Sequence, residues 1–207
     1  MKIAYKLTDS GMRTYYEFQW ELGKWYETTG EGDLCSSGWF HFYSDPLVGL
    51  FLNPVHAGIE NPRLFRAEVE GNFIDDHGAK CGYSRARLIE ELLVPQISSV
   101  QRVRFAILCA KEVYKEKEWN KWADNWLSGK DRTEESAAGA AYTVEGADSV
   151  AKITDITTKS AEVSAFYAAK SATFTSEIIA NAAKSAFYAT ESKEIDLIGI
   201  AQKAMKE

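Results

Sequence analysis

Apolar and polar residues change their spacing along this chain, and each change predicts a different kind of structure. From Lys2 to Thr8 they alternate, with Ile3, Tyr5 and Leu7 on one side, which predicts a half-buried strand. Trp39 to Tyr43 is a run of aromatic residues and predicts a buried strand. Asp45-Pro46 then opens a short helix over Leu47 to Leu52, because proline suits the first helical position. Asn53-Pro54 is expected to stop it, since a residue before proline avoids helical angles. Leu64 to Glu70 alternates again and predicts a strand ending at Gly71, and residues 85–93 predict one more.

A helical period takes over at residue 96. Val100, Val103, Ile107, Ala110 and Tyr114 recur at +3 and +4, and Trp119, Trp122 and Trp126 continue the stripe, which predicts a helix over 96–128. Gly129 supplies its C-cap. The three tryptophans are expected to pack this helix onto the preceding strands.

From Thr133 onward the period is seven. Ser164-Ala165-Phe166-Tyr167-Ala168 recurs 21 residues later at Ser185 to Ala189, and Ala168-Ala169-Lys170-Ser171-Ala172 recurs 14 residues later at Ala182 to Ala186. Two mostly small-residue columns follow, Thr133, Ala140, Ala147, Thr154, Ala161, Ala168, Thr175, Ala182 and Ala189, and Ala137, Val144, Ala151, Thr158, Ala165, Ala172, Ile179, Ala186 and Lys193. They alternate at +4 and +3, the spacing of a helix seam, with Phe166, Tyr167, Phe174, Phe187 and Tyr188 at its edges. An alanine seam buries little on its own and must lie against another helix. Unbroken, 133–205 would span about 110 Å. The chains therefore either oligomerise or fold back, with weak points at Gly139, Gly146, Ile153 to Thr158 and Thr190 to Lys193.

The expected fold class is α+β: a small mixed-sheet domain with a packed Trp-rich helix over 1–130, then a long Ala-rich heptad helix or helical hairpin over 131–207. All four prolines and ten of the fourteen glycines lie in the first 95 residues, which supports this division. Net charge is −6, and eleven acids against seven bases in 133–207 carry most of it, so a general grip on nucleic acid is not expected. The three cysteines are odd in number and include no CxxC pair, which fits a reducing, cytoplasmic setting better than a disulfide framework. No apolar run has the length of a signal peptide or a membrane helix.

No P-loop, GxGxxG, GxSxG or HExxH motif is present. Asp75, Asp76, His77 and Cys81 match no metal-ligand spacing and are expected to form a solvated turn. Arg85, Arg87, Arg102 and Arg104 form either an anion site or exposed strand and helix faces. His41, between aromatics, is expected to be a satisfied core histidine, with a ligand-binding reading beside it.

Two resemblances add to this. Ala4 to Thr8, Gly38 to Asp45 and Arg63 to Glu70, in that order, look like the opening of the ADP-ribosyltransferase fold. That likeness implies an NAD cleft near Lys6, His41 and Tyr43, with the catalytic glutamate left open among Glu68, Glu70, Glu90 and Glu91. Tyr5 to Thr8, Gly38 to Pro46, Trp122-Ala123, Trp126 to Gly129 and the Ala-rich heptads together resemble a family of uncharacterised bacteriophage and bacterial proteins that pair a small N-terminal domain with an Ala-rich helical repeat. That resemblance implies a phage setting, hence the host-cell cytoplasm, and no activity.

The reading that follows is a non-enzymatic interaction protein without cofactor or metal. It would self-associate through Ala161, Ala165, Ala168, Ala172, Ile179, Ala182 and Ala186. It would bind a host protein, including a defence component, or a small ligand at Lys6, Trp39, His41 and Tyr43. The alternatives are an ADP-ribosyltransferase-like enzyme or relic using NAD and a virion or assembly component.

Overall fold

In chain order the strands are β1 (Lys2–Thr8), β2 (Arg13–Thr14), β3 (Phe18–Gln19), β4 (Tyr26–Glu27), β5 (Phe40–Phe42), β6 (Arg63–Asp76) and β7 (Lys80–Leu92), with helix α1 (Pro46–His56) between β5 and β6. The computed structural model describes residues 1–150, 156–173 and 177–206, and the chain divides into two units, Met1–Gln96 and Ile97–Glu207.

The long β6–β7 hairpin organises the first unit. β1 pairs antiparallel with β6, while β4 and β5 pair antiparallel with β7. The sheet then closes on itself, because the backbones of Tyr5 and Tyr43 exchange both hydrogen bonds, at 2.8 and 2.9 Å. Its interior holds Trp20, Phe42, Phe65, Val69 and Leu88, with Trp20 edge-on to Phe40 and Tyr26 at 5.2 Å. The small β2–β3 hairpin is a separate two-stranded sheet.

Three local expectations are corrected here. β6 does not end at Gly71 but runs through it. Gly71 sits at φ +84, a Cβ there would overlap Ser84 Oγ, and the backbone N–H of Asn72 donates to that same hydroxyl at 2.8 Å, so the glycine makes a bulge inside the strand rather than a stop. α1 continues two residues past Pro54, to His56. Its start is as expected, with Asp45 accepting from the N–H of Leu47 at 2.8 Å. Proline removes one donor from the last turn, while the Asn53 side chain clamps the exit by bonding both the N–H and the carbonyl of Ile59. On β1, Ile3 is exposed and Lys6 is buried, since Ala4, Lys6 and Thr8 face the closed aromatic interior.

The second unit is helical: α2 (Ser99–Val113), α3 (Lys117–Leu127), α4 (Glu134–Val150), α5 (Ile156–Ser171), α6 (Ile178–Ser192) and α7 (Leu197–Ala204). The single helix expected over 96–128 breaks at Tyr114, which is extended. Glu116 restarts the helix by accepting from the N–H of Trp119 at 2.8 Å. Ser98 and Gln101 form a capping box at the start of α2.

Val103, Ile107, Ala110, Trp119, Trp122 and Trp126 lie in one core with Ala137, Ala141, Val144, Ala165, Ala168, Ala172 and Ala182. The unit boundary therefore falls at 96/97 rather than at 130, and the tryptophans pack with the alanine-rich helices. Alanine lets helix axes approach closely but buries little, whereas each tryptophan buries on the order of 150–250 Å². The two residue types complement each other.

The small-residue seam is likewise filled from within the chain. α5 packs on α6, and both pack on α2. Ala161, Ala165, Ala168, Ala172, Ala182 and Ala186 are buried there, while Ile179 is 48% exposed. Folding back, rather than a single rod, is what the helices do. Ala151, Thr154, Phe174 and Thr175, with most of the run from Ile153, lie outside the described residues.

The internal repeat has a direct structural meaning. Ser164 Oγ donates to the carbonyl of Ser185, and Ser185 Oγ donates to the carbonyl of Ser164, both at 2.9 Å. Tyr167 stacks on Tyr188 at 5.8 Å, tilted by only 7°. Equivalent residues of the two repeats thus face each other, so the recurrence encodes a self-complementary helix pair. Ser185 Oγ also lies 3.1 Å from the carbonyl of Ala106, tying the pair to α2.

Candidate functional site

The residues singled out in the first unit meet around the junction of β1 and β5. The Lys6 ammonium donates to the carbonyl of His41 at 2.6 Å and rests over the rings of Phe42 and Trp20, at 5.0 and 5.4 Å. Lys6 is only 7% exposed, and burial pulls its pKa down to about 7. The His41 ring nitrogen Nε2 bonds the carbonyl of Leu34, and burial lowers its pKa, with the carbonyl bond opposing and the nearby Lys6 and Lys80 charges assisting.

Tyr43 is buried, which raises its pKa, and it stacks on His56 at 5.9 Å. Burial, helped by the charge of Lys80, takes His56 down to about 4. Trp39 Nε1 donates to the carbonyl of Gly32 at 2.9 Å, away from the other three. Lys6, His41 and Tyr43 are therefore brought together, but as interior groups. An ammonium enclosed by a carbonyl and two rings is a partly compensated interior charge, not an open ligand contact.

The carboxylates considered for catalysis are all engaged. Arg63 pairs with Glu91, Arg66 with Glu90, Arg85 with Glu70 and Glu27, and Arg87 with Glu68. This is a cross-strand ladder of alternating charge. The guanidinium groups of Arg85 and Arg87 also lie over Trp25, at 4.1 and 4.9 Å. The ladder answers the open question about the strand arginines: their charge is neutralised in place. Arg104 is occupied too, donating to the carbonyl of Leu127 at 3.1 Å. Asp75 and Asp76 end β6, paired with Cys81 and Lys80, His77 opens the turn to β7, and Cys81 is buried beside the carbonyl of Phe42, at 3.5 Å. Among the described residues no group of three or more His, Cys, Asp or Glu could hold a metal ion.

What the sequence reading missed is the tip of the β2–β3 hairpin. Tyr15 and Tyr16 are 76% and 83% exposed, with ring centroids 4.1 Å apart. The backbone beneath them is unusual: Met12, Tyr16 and Glu17 all have φ near +60 (62, 56 and 57). A left-handed conformation costs a non-glycine residue on the order of 1 kcal/mol or more. The base of the hairpin holds it in place. Asp9 Oδ1 accepts from the N–H of Gly11 and of Arg13, at 2.8 and 2.7 Å. The buried Trp20 donates from Nε1 to Thr14 Oγ1 at 3.1 Å. The one sequence signal was the adjacent aromatic pair itself, standing where no apolar periodicity predicts an element.

Residues 2–100 match the family model of a domain of unknown function, DUF7666. The match spans the whole sheet unit and stops at the start of α2, so it coincides with the first structural unit. Among curated proteins and solved structures, nothing matches this chain. No helix among the described residues is long and apolar enough to cross a membrane.

Proposed function

We propose that the chain is a non-enzymatic interaction protein that contacts a partner protein through the Tyr15–Tyr16 tip. The observation that carries this reading is the exposure of both rings together with the left-handed backbone at Tyr16 and its neighbour Glu17. Two tyrosines in water gain nothing from folding, while their backbone costs free energy. A surface of that kind returns its cost only when a partner covers it. Tyrosine suits the task because it buries a large rigid area with few rotors and keeps a hydroxyl for hydrogen bonding. The Asp9 and Trp20 bonds fix the tip beforehand, which lowers the ordering cost of binding.

The sheet beneath acts as a scaffold, its charges paired across strands and its interior filled. The resemblance to phage proteins points to a host protein as the partner. Self-association through the alanine seam loses its support, since those side chains are covered by the chain's own helices. The NAD reading is the less favoured, since its four candidate glutamates are each paired with arginine and Lys6, His41 and Tyr43 meet as interior groups.

The test is a quantitative capture from host lysate with the full chain and with the Tyr15→Ala/Tyr16→Ala double variant, followed by titration of the captured protein in purified form. The double variant is expected to keep the wild-type melting temperature or exceed it, and to lose at least about tenfold in affinity. A purified partner that binds both forms equally would overturn the assignment of the tip.

A further inference from the structure

A cleft of about 440 Å³ opens between the last turns of α5 and the first turns of α6. That volume is in the range of small-molecule sites. Its walls are Phe166, Tyr167 and Lys170 on one side and Asn181 and Lys184 on the other, with Thr173 and Glu177 at the connection. The 14-residue recurrence delivers the two lysines, since Lys170 and Lys184 occupy the same place in successive repeats. Each ammonium rests over an aromatic ring, Lys170 over Phe166 at 5.5 Å and Lys184 over Tyr167 at 5.1 Å. No described carboxylate forms an ion pair with either. Two cations on one small cleft repel each other and favour an anion between them.

A second observation is independent of the charges. Asn181 is only 5% exposed, yet it lines the cleft, and its side-chain amide makes no hydrogen bond to any described residue.

We propose that this cleft binds a small phosphomonoester carried on a hydroxylated body, a sugar phosphate or a nucleoside monophosphate. Lysine, a compact point charge, suits a tetrahedral phosphate, whereas a planar carboxylate is better matched by arginine. The carboxylate of Glu177 at the cleft selects against a ligand that is anionic throughout. Asn181 serves the hydroxylated body, and Thr173 Oγ1, whose proton goes to the carbonyl of Lys170 at 2.8 Å, can accept from it. The site lies in the helical unit and does not depend on the tyrosine tip.

The experiment is calorimetric titration of the full chain with ribose 5-phosphate, adenosine monophosphate, free ribose and inorganic phosphate. One or both esters are expected to bind, more tightly than inorganic phosphate, while free ribose does not bind. The Lys170→Gln/Lys184→Gln double variant is expected to lose at least about tenfold in ester affinity. Asn181→Ala is expected to weaken ester binding several-fold and leave the weak phosphate binding unchanged. Tyr15→Ala/Tyr16→Ala is expected to bind the ester as the wild type does. Circular dichroism of each variant confirms the fold, and Asn181→Asp, nearly isosteric, replaces the alanine variant if that one unfolds; its added negative charge also weakens the ester.

Three outcomes overturn the proposal: no ester binding at millimolar concentration, equal affinity for inorganic phosphate and the esters, or an ester affinity unchanged by loss of both lysines.

Discussion

Replacing Lys6 by methionine isolates the cost of an ammonium inside an aromatic core. In the unfolded chain the group titrates near 10.5, and burial takes it to about 7 in the folded one. Between those values the unfolded state binds more protons, so stability rises with pH across this window and levels off above it. Below pH 7 both states are protonated and the folded state carries the whole penalty. At about 1.4 kcal/mol per pH unit this amounts to on the order of 4–5 kcal/mol. The rings of Trp20 and Phe42 stabilise the charged form and return about 1–2 kcal/mol of it.

Methionine fills similar volume without charge, but leaves the His41 carbonyl unbonded at a cost of about 1 kcal/mol. Lys6→Met is therefore expected to be more stable than wild type by about 2 kcal/mol at pH 6.5. That advantage should shrink by about 1.4 kcal/mol per pH unit once Lys6 begins to titrate. The window stays below pH 9, because Cys81, Tyr43, Tyr83 and Tyr114 all have raised pKa values and oppose the trend at higher pH. It stays above pH 6, because His56 and His41, both lowered, add their own rise in stability below that. Urea unfolding at pH 6.5, 7.5 and 8.5, followed by tryptophan fluorescence, measures the difference. Parallel pH profiles for the two proteins, or a Lys6 side chain that titrates near 10.5 by carbon NMR, would refute the reasoning.

Three further substitutions probe the scaffold. Ser185→Ala removes a buried hydroxyl that bridges α6 to α5 and α2, and is expected to cost about 1–2 kcal/mol in urea unfolding, with Ser164→Ala close behind. Gly71→Ala combines a left-handed φ with an overlap on Ser84 Oγ; it should lower stability by about 2 kcal/mol or more and expose the β6–β7 hairpin amides to hydrogen exchange. Asp45→Ala removes the cap of α1 and should cost about 1 kcal/mol, whereas Asp45→Asn should retain most of it.

Much of the local structure was legible because its cause is local. Asp45-Pro46 starts α1, Gly129 follows α3 at φ +78, and the alternation around Leu64 to Glu70 falls within β6. The described alanines of the seven-residue columns are buried, but so are Ala141, Ala169 and Ala183 outside them, while Thr158 and Ile179 within them are exposed. The sequence could not say what those alanines lie against, since a small-residue stripe accepts a second chain or a folded-back segment equally well. That choice was made by α2 and α3, whose apolar residues meet α5 and α6 through contacts spanning up to 79 residues, as from Ser185 to Ala106.

The same holds for the candidate sites. Lys6 reads as a polar strand residue until the sheet closes through Tyr5 and Tyr43 and encloses it. Lys170, Lys184 and Asn181 read as scattered polar positions until two helices bring them to one cleft. Periodicity determined which faces of each element turn inward. Only the tertiary structure decided which inward faces meet, because packing depends on surfaces assembled from distant segments and no single segment contains that information.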